Sequence, residues 1–221
     1  MASQRHKRAQ PHAGVVAAPR PADGRPAPDR QIPIRPVPED IAAAVRESVL
    51  AVGVRRTTLT DVARRAGVSR MTLYRLVPDV ETLLLNVMTH DFGGLLSEIE
   101  ASVADRATAR ARLVALTVQT ARRLPAEPLF RRVLDVDPEL LLPYLTIRLG
   151  STQRLALARV RRAIREGHAD GSIRGGDPEA IATGVLMAAL PWIVSARLFD
   201  EIGADRALGE LEHGLDGWLR P

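Results

Sequence analysis

The chain contains no cysteine, which excludes a disulfide framework, a thiolate zinc site and a cysteine nucleophile. Aromatic residues make up only 3% of it, yet apolar residues reach 46%, mostly Ala, Val and Leu. That palette suits helices rather than β-sheets. No apolar run approaches the roughly 18 residues of a membrane span. The longest, residues 185–194, is interrupted by Pro191. The N-terminus is basic but lacks a continuous apolar stretch, so it does not read as a secretion signal, and a cytoplasmic location is expected. There is no Gly-rich phosphate loop, no internal repeat and no alternating strand pattern. The five histidines (His6, His12, His90, His168, His213) show neither metal-ligand nor triad spacing, and no nucleophile elbow or paired-acid motif is present. An enzyme is therefore not expected, and no cofactor or metal is implied.

What is there is uneven charge. Residues 1–38 hold seven basic groups (Arg5, Lys7, Arg8, Arg20, Arg25, Arg30, Arg35) against Asp23 and Asp29, so the whole formal excess of +5 resides there. Residues 1–37 are mostly Pro, Ala and Arg, with too little apolar surface to offset the entropy of ordering. They read as a disordered basic tail, either an arm that strengthens DNA association electrostatically or a dispensable extension. In the balanced remainder, residues 53–76 carry six arginines (Arg55, Arg56, Arg64, Arg65, Arg70, Arg75) against Asp61. Positive charge is thus concentrated where phosphate would be met. For Arg64 and Arg65 a merely solvated helix face is an equal reading.

The stretch RRTTLTDVARRAGVSRMTLYRLVPDV, residues 55–80, reads as two short helices hinged at Gly67. Thr58 followed by Asp61 forms a capping box, and Val62, Ala63 and Ala66 supply an apolar face. Gly67 permits a positive φ, Val68 plugs the corner, and Ser69 caps a second helix over 70–77 that buries Leu73, Leu76 and Val77. Ala63 and Gly67 are expected to be small because the helices cross there. This is a helix-turn-helix pattern, in which the second helix enters the DNA major groove. Arg70, Met71 and Thr72 occupy the first turn, the part that reaches base edges, and Ser69, which caps it, is expected among the DNA-binding residues with them. Tyr74, Arg75, Thr57 and Thr58 are expected near phosphate.

TTLTDVARRAGVSRMTLYRLVPDVETLL closely resembles the N-terminal signature of the TetR family of bacterial transcriptional regulators. The resemblance is specific over residues 39–88 and architectural beyond them. Two positions depart from it: Val80 stands where a phosphate-touching lysine is usual, and Val77 where an aromatic is usual. The resemblance implies a regulator, most simply a repressor. Its C-terminal helical domain would enclose a small molecule and release DNA when filled, and its last two helices would form a dimer bundle.

The length suits one or two domains. The fold class expected is all-α: a tail over 1–37, a three-helix helix-turn-helix DNA-binding domain over 38–90, and a helical regulatory and dimerisation domain over 91–221. Pro38, Glu39 and Asp40 open the first helix, whose Ile41, Val45, Val49 and Val52 pack behind the motif until Gly53 ends it. Pro78 and Asp79 start a helix with Val80, Leu83, Leu84, Val87 and Met88 inward. Further helices are expected over 106–124, 129–136, 144–166, 177–198 with a kink at Pro191, and 205–219. Asp135, Asp137 and Glu139 alternate as loop metal ligands do, but the Asp137-Pro138 step explains Asp137 as a helix cap.

Candidate lining for an unidentified effector comprises Met88, Phe92, Leu116, Phe130, Tyr144, Met187 and Trp192, residue types that more often serve as plain core. Apolar residues in 181–193 exceed one buried stripe, and Gly184, Ala188 and Ala189 would let helices approach closely. Ile181, Val185, Ala188 and Trp192, with Leu208, Leu211 and Leu215, are therefore expected in a homodimer interface, the alternative being a core helix. The partners expected are an operator in double-stranded DNA, a small effector and a second copy, with no membrane. A ligand-independent architectural DNA binder is the alternative; the long stretch 105–176 between motif and dimer helices argues for a sensor.

Overall fold

The computed structural model describes residues 36–199 and 201–221; the expected basic tail lies almost wholly outside them. Ten α-helices and no strand occur among the described residues. The first four are α1 (Glu39–Val52), α2 (Leu59–Arg65), α3 (Arg70–Leu76) and α4 (Val80–Ser102). They are followed by α5 (Ala109–Arg123), α6 (Pro128–Val136), α7 (Leu142–Thr146), α8 (Ser151–Ala169), α9 (Pro178–Val194) and α10 (Ala204–Leu219).

Local chemistry sets most boundaries. Asp79, Thr108 and Asp177 cap α4, α5 and α9 by accepting backbone N–H groups with their side chains. Gly53 closes α1 at φ 80°. The helix expected over 144–166 is instead interrupted at 147–150. Gln153 accepts the Gly150 N–H at 3.1 Å and donates to the Tyr144 carbonyl at 3.1 Å, so Gly150 begins a new helix. A Cβ there would lie 2.7 Å from the Tyr144 ring, which makes glycine necessary at that turn. The helix expected to reach 198 ends at Val194, and a short 3-10 turn over Ala196–Phe199 follows. Pro191 is accommodated within α9 because Ala189 and Ile193 anchor both sides of it in the core.

Three apolar clusters hold the helices. The first joins α1 to α4 through Ile41, Val45, Val49, Val62, Leu73, Leu83, Leu84 and Val87, and it also takes in Leu129 and Val133 of α6. Val52, expected inside, faces solvent, because the chain leaves the helix axis at Gly53 immediately after it. The second cluster unites α5, α8, α9 and α10 around Leu113, Ile164, Val185 and Leu211. The third packs the far half of α4 (Phe92, Leu95, Leu96, Ile99) on Leu116 of α5. At about 1.5 Å per residue α4 is roughly 35 Å long, so one rigid rod belongs to two cores. Arg46 of α1 grips it with a two-pronged contact to Asp91 (2.9 and 2.6 Å) and reaches Glu39 at 2.7 Å. The Arg46 contact holds the Glu39 carboxyl below its ordinary range.

Because Leu129 and Val133 complete the first cluster, a fragment of residues 38–104 lacks two side chains that its core needs. Each is worth about 1.5–3 kcal/mol on burial, a large share of a small domain's stability. Circular dichroism should show such a fragment less helical and melting well below the full chain. A fragment extended through residue 141 should regain much of that loss.

Candidate nucleic-acid interface

The motif helices are short, and each is fixed at its start by a side chain. Thr58 accepts the Asp61 N–H at 3.1 Å, and its hydroxyl donates to Asp61 Oδ2 at 2.6 Å. That hydroxyl first, and Arg64 after it, hold the Asp61 carboxyl below its usual range. Ser69 accepts the Thr72 N–H at 3.1 Å, with the two hydroxyls 2.9 Å apart. Between the helices Gly67 takes φ 68°. A Cβ at Gly67 would meet nothing within 4 Å, so glycine is needed there for its backbone angle and not, as expected, for a close crossing. Ala63, by contrast, is fully enclosed.

Leu73 is completely buried, and this one anchor turns the rest of α3 outward. Arg70, Met71 (61% exposed), Thr72, Tyr74 (55% exposed) and Arg75 lie together on the solvent side, as a groove-reading helix requires. Thr57 does not join them. It is buried, its hydroxyl donates to the Gly53 carbonyl at 2.8 Å, and its role is to lock the α1–α2 turn. Arg64 lies 3.5 Å from Asp61, and Arg65 donates to Glu47 of α1 at 3.0 Å, so both have carboxylate partners on their own surface. Arg55 faces Asp137 and Glu139, away from the α3 cluster in partner and purpose. Among the described residues no carboxylate pairs with Arg70.

The expected effector lining does not converge. Met88 packs on the first cluster, Phe92 and Leu116 meet in the third, and Phe130 and Trp192 border the second. Trp192 stacks on Phe199 at 4.8 Å between centroids. Tyr144 sits over Gly150 and stacks with Arg148, while Met187 faces solvent. The expected dimer residues also divide. Ile181, Val185, Leu208, Leu211 and Leu215 are buried within the protomer's own core, because α9 and α10 spend those faces on α5 and α8. Gly184 admits Trp218 of the same chain, whose ring atom would lie 2.5 Å from an added Cβ. Ala188 alone of the seven is exposed. Asp135, Asp137 and Glu139 do not converge on a point: Arg197 donates to Asp135 at 2.7 Å, Val54 N–H to Asp137, and Arg55 to Glu139. No group of three metal-ligating side chains occurs among the described residues.

No family profile matches the chain. It is 36% identical over 180 residues to an uncharacterised HTH-type transcriptional regulator of Mycobacterium bovis, covering 81% of this chain and 92% of that protein. A Mycobacterium tuberculosis regulator of the same description matches to the same extent. Among solved structures, the TetR-family transcriptional repressor QsdR of R. erythropolis aligns with a TM-score of 0.62 at 16% identity, over 83% of this chain and 95% of that one. The chain belongs to the HTH-type transcriptional regulators, and its fold is that of TetR-family structures. SmeT, repressor of a Stenotrophomonas maltophilia multidrug efflux pump, shares the fold at 22% identity and a TM-score of 0.55, over 85% and 92% of the two chains. The TetR-family relatives are regulators rather than enzymes. No described helix is long and apolar enough to cross a membrane.

In a TetR-type motif this small, the cap of α3 bears on stability directly. Ser69→Ala removes the side-chain acceptor of the Thr72 amide, leaving it only the Ser69 carbonyl at 3.0 Å, and should cost about 0.5–2 kcal/mol in urea unfolding. The same change should weaken DNA binding by fraying the turn that carries Arg70 to Thr72.

Proposed function

We propose that the chain is a repressor that binds an inverted-repeat DNA site as a homodimer and leaves it when a small molecule occupies the C-terminal helices. The observation that carries the DNA half is the outward first turn of α3. Arg70, Met71 and Thr72 are exposed over a fully buried Leu73, and Arg70 is free of carboxylates among the described residues. Tyr74, Arg75 and Thr58 flank that turn at the level of the phosphates. Arg70→Ala should cost about 1–3 kcal/mol on a selected duplex and relax preference at one base pair, if Arg70 grips guanine with both prongs. An equal loss on every sequence would make it a phosphate contact.

Two copies are needed because one recognition helix covers too few base pairs to define a site. The surface that supports pairing is the outer side of α9 and α10, which keeps Ala188 of the residues first expected and lies opposite Ile181, Val185, Leu208, Leu211 and Leu215. On α9 it presents Met187 (48% exposed), Ala188 and Pro191. On α10 it presents Gly209, Gly214 and Gly217, and an added Cβ on any of them would meet nothing within 4 Å. Glycine inside a helix costs about 0.5–1 kcal/mol relative to alanine, and nothing within the protomer repays it. A second backbone brought close would. The effector half is supported by the arrangement of α4, which carries Phe92 in the small core with Leu116 at one end and Leu83 and Leu84 under α3 at the other. A molecule wedged beside Phe92 would bear on the rod that holds the reading head.

Position 188 and position 185 separate assembly from folding. Ala188→Glu places a charge on the exposed face and should yield a folded monomer that no longer holds the inverted repeat. Val185→Glu buries a charge in the protomer core and should unfold the chain, at a cost of several kcal/mol. Sedimentation with circular dichroism distinguishes the two. A wild-type monomer protecting a full palindrome would defeat the dimer reading.

A further inference from the structure

The turn that aims the motif is held by a side chain from the far part of the chain. Gly53 ends α1 and donates its N–H to the Val49 carbonyl at 2.9 Å. The next amide, Val54 N–H, turns off the helix and donates to Asp137 Oδ2 at 3.1 Å, across 83 residues of sequence. From Val54 the links continue in order. Thr57 N–H donates to the Val54 carbonyl at 3.0 Å, Thr57 hydroxyl to the Gly53 carbonyl at 2.8 Å, and Thr58 then opens α2.

Asp137 is only 2% exposed, and an ionised carboxylate so enclosed is costly unless it is hydrogen-bonded and paired. Its other oxygen lies 3.4 Å from Arg55 Nε, and the same nitrogen donates to Glu139 at 3.0 Å. Asp137 makes no side-chain cap for its own 3-10 turn, Pro138–Leu140, contrary to the reading of the Asp-Pro step as a cap. The end of α6 also seats against Gly53, where an added Cβ would stand 3.5 Å from Asp137 Oδ2 and 3.7 Å from Val136. A buried carboxylate that does nothing for its own segment is committed to the α1–α2 turn.

We propose that Asp137 is a positioning residue for DNA binding: by accepting the Val54 N–H, with Arg55 holding it in place, it sets the turn that fixes α2 and α3 against DNA. The proposal rests on the reading of α3 as the DNA-contacting helix. Asp137 touches no base or phosphate; it acts through Val54, Thr57 and Thr58.

The test begins with a duplex selected from random DNA by the wild-type chain. If no sequence is enriched, the DNA-binding reading fails by itself, before any variant is made. Asp137→Ala is then compared with wild type on the selected duplex and on an unrelated one at equal salt, with amide exchange at Val54 and thermal unfolding followed alongside. Misplacing the motif should weaken the selected duplex tenfold or more and the unrelated one by no more than about threefold, since phosphate attraction survives. Val54 exchange should quicken in a chain that is still folded. Asp137→Asn keeps an oxygen for the Val54 N–H and should bind the selected duplex within about threefold of wild type. A folded Asp137→Ala that binds like wild type, or loses equally on both duplexes, overturns the proposal. If the alanine variant does not fold, Asp137→Asn decides the question. Tenfold loss with Val54 still protected overturns the proposal, and retained affinity with protection supports it. Loop-like exchange at Val54 in the wild type overturns it as well.

Discussion

A helix of seven residues cannot hold itself together in water, because nucleation consumes about as much free energy as so few hydrogen bonds return. The reading helix α3 is that short, so its shape and direction are imposed from outside. The complete burial of Leu73 is the contact on which the rest depends. It fixes which side of α3 is inward, and with a period of 3.6 residues that decision places Met71, Thr72 and Tyr74 outward. The Ser69 cap and the Gly67 angle then set where the helix begins and in which direction it leaves α2. The cluster receiving Leu73 is built from α1, α2 and α4, and from α6 as well.

That last contribution ties the two halves of the molecule together. On one side α6 gives Leu129 and Val133 to the motif core, and on the other Phe130 packs against the core of α5, α8, α9 and α10. Its end supplies Asp135 to Arg197 and is followed by Asp137, bonded to Val54. A nine-residue helix with two clients cannot shift without disturbing both, since packed cores move between discrete arrangements and do not stretch. Together with α4 it makes the motif a supported head and not a tethered domain.

Which parts of this were legible in the sequence follows from range. Thr58, Ser69, Gly67 and Asp79 act on backbone within three residues of themselves, so their roles could be read from spacing alone. The break at Gly150 was equally local, and the Gly-Ser-Thr-Gln run carries the signal, but the apolar periodicity on either side masked it. Asp137 was beyond reach: nothing in a sequence announces that a carboxylate will bond an amide 83 residues away. The burial of most residues expected in a dimer interface was hidden for a different reason. Helix α9 is apolar on nearly all sides, so periodicity could not choose between the face given to α5 and α8 and the face left exposed. Ile181 and Val185 went to the core, while Met187 and Ala188 stayed outside. A resemblance can point to helices; only packing shows which side of them remains exposed.

Charge completes the division of labour. Away from the reading helix, arginines serve as struts between helices: Arg123 to Glu98, Arg161 to Glu179, Arg162 to Glu100 and Arg65 to Glu47. Exposed pairs of this kind are each worth less than about 1 kcal/mol, so they orient more than they stabilise. Their effect on the field is larger than their effect on stability, because each pair cancels its own charge within a few ångströms and leaves little potential at a distance. Arg70 has no such partner among the described residues, and it stands beside Tyr74 at the tip of a neutralised body. The charge of the described portion as a whole is nearly balanced, so a local excess such as Arg70 is not drowned by a large field of either sign. Under the proposed function, phosphate attraction would need only the charge of such a group, while base edges would be read by the side chains on the outer side of α3.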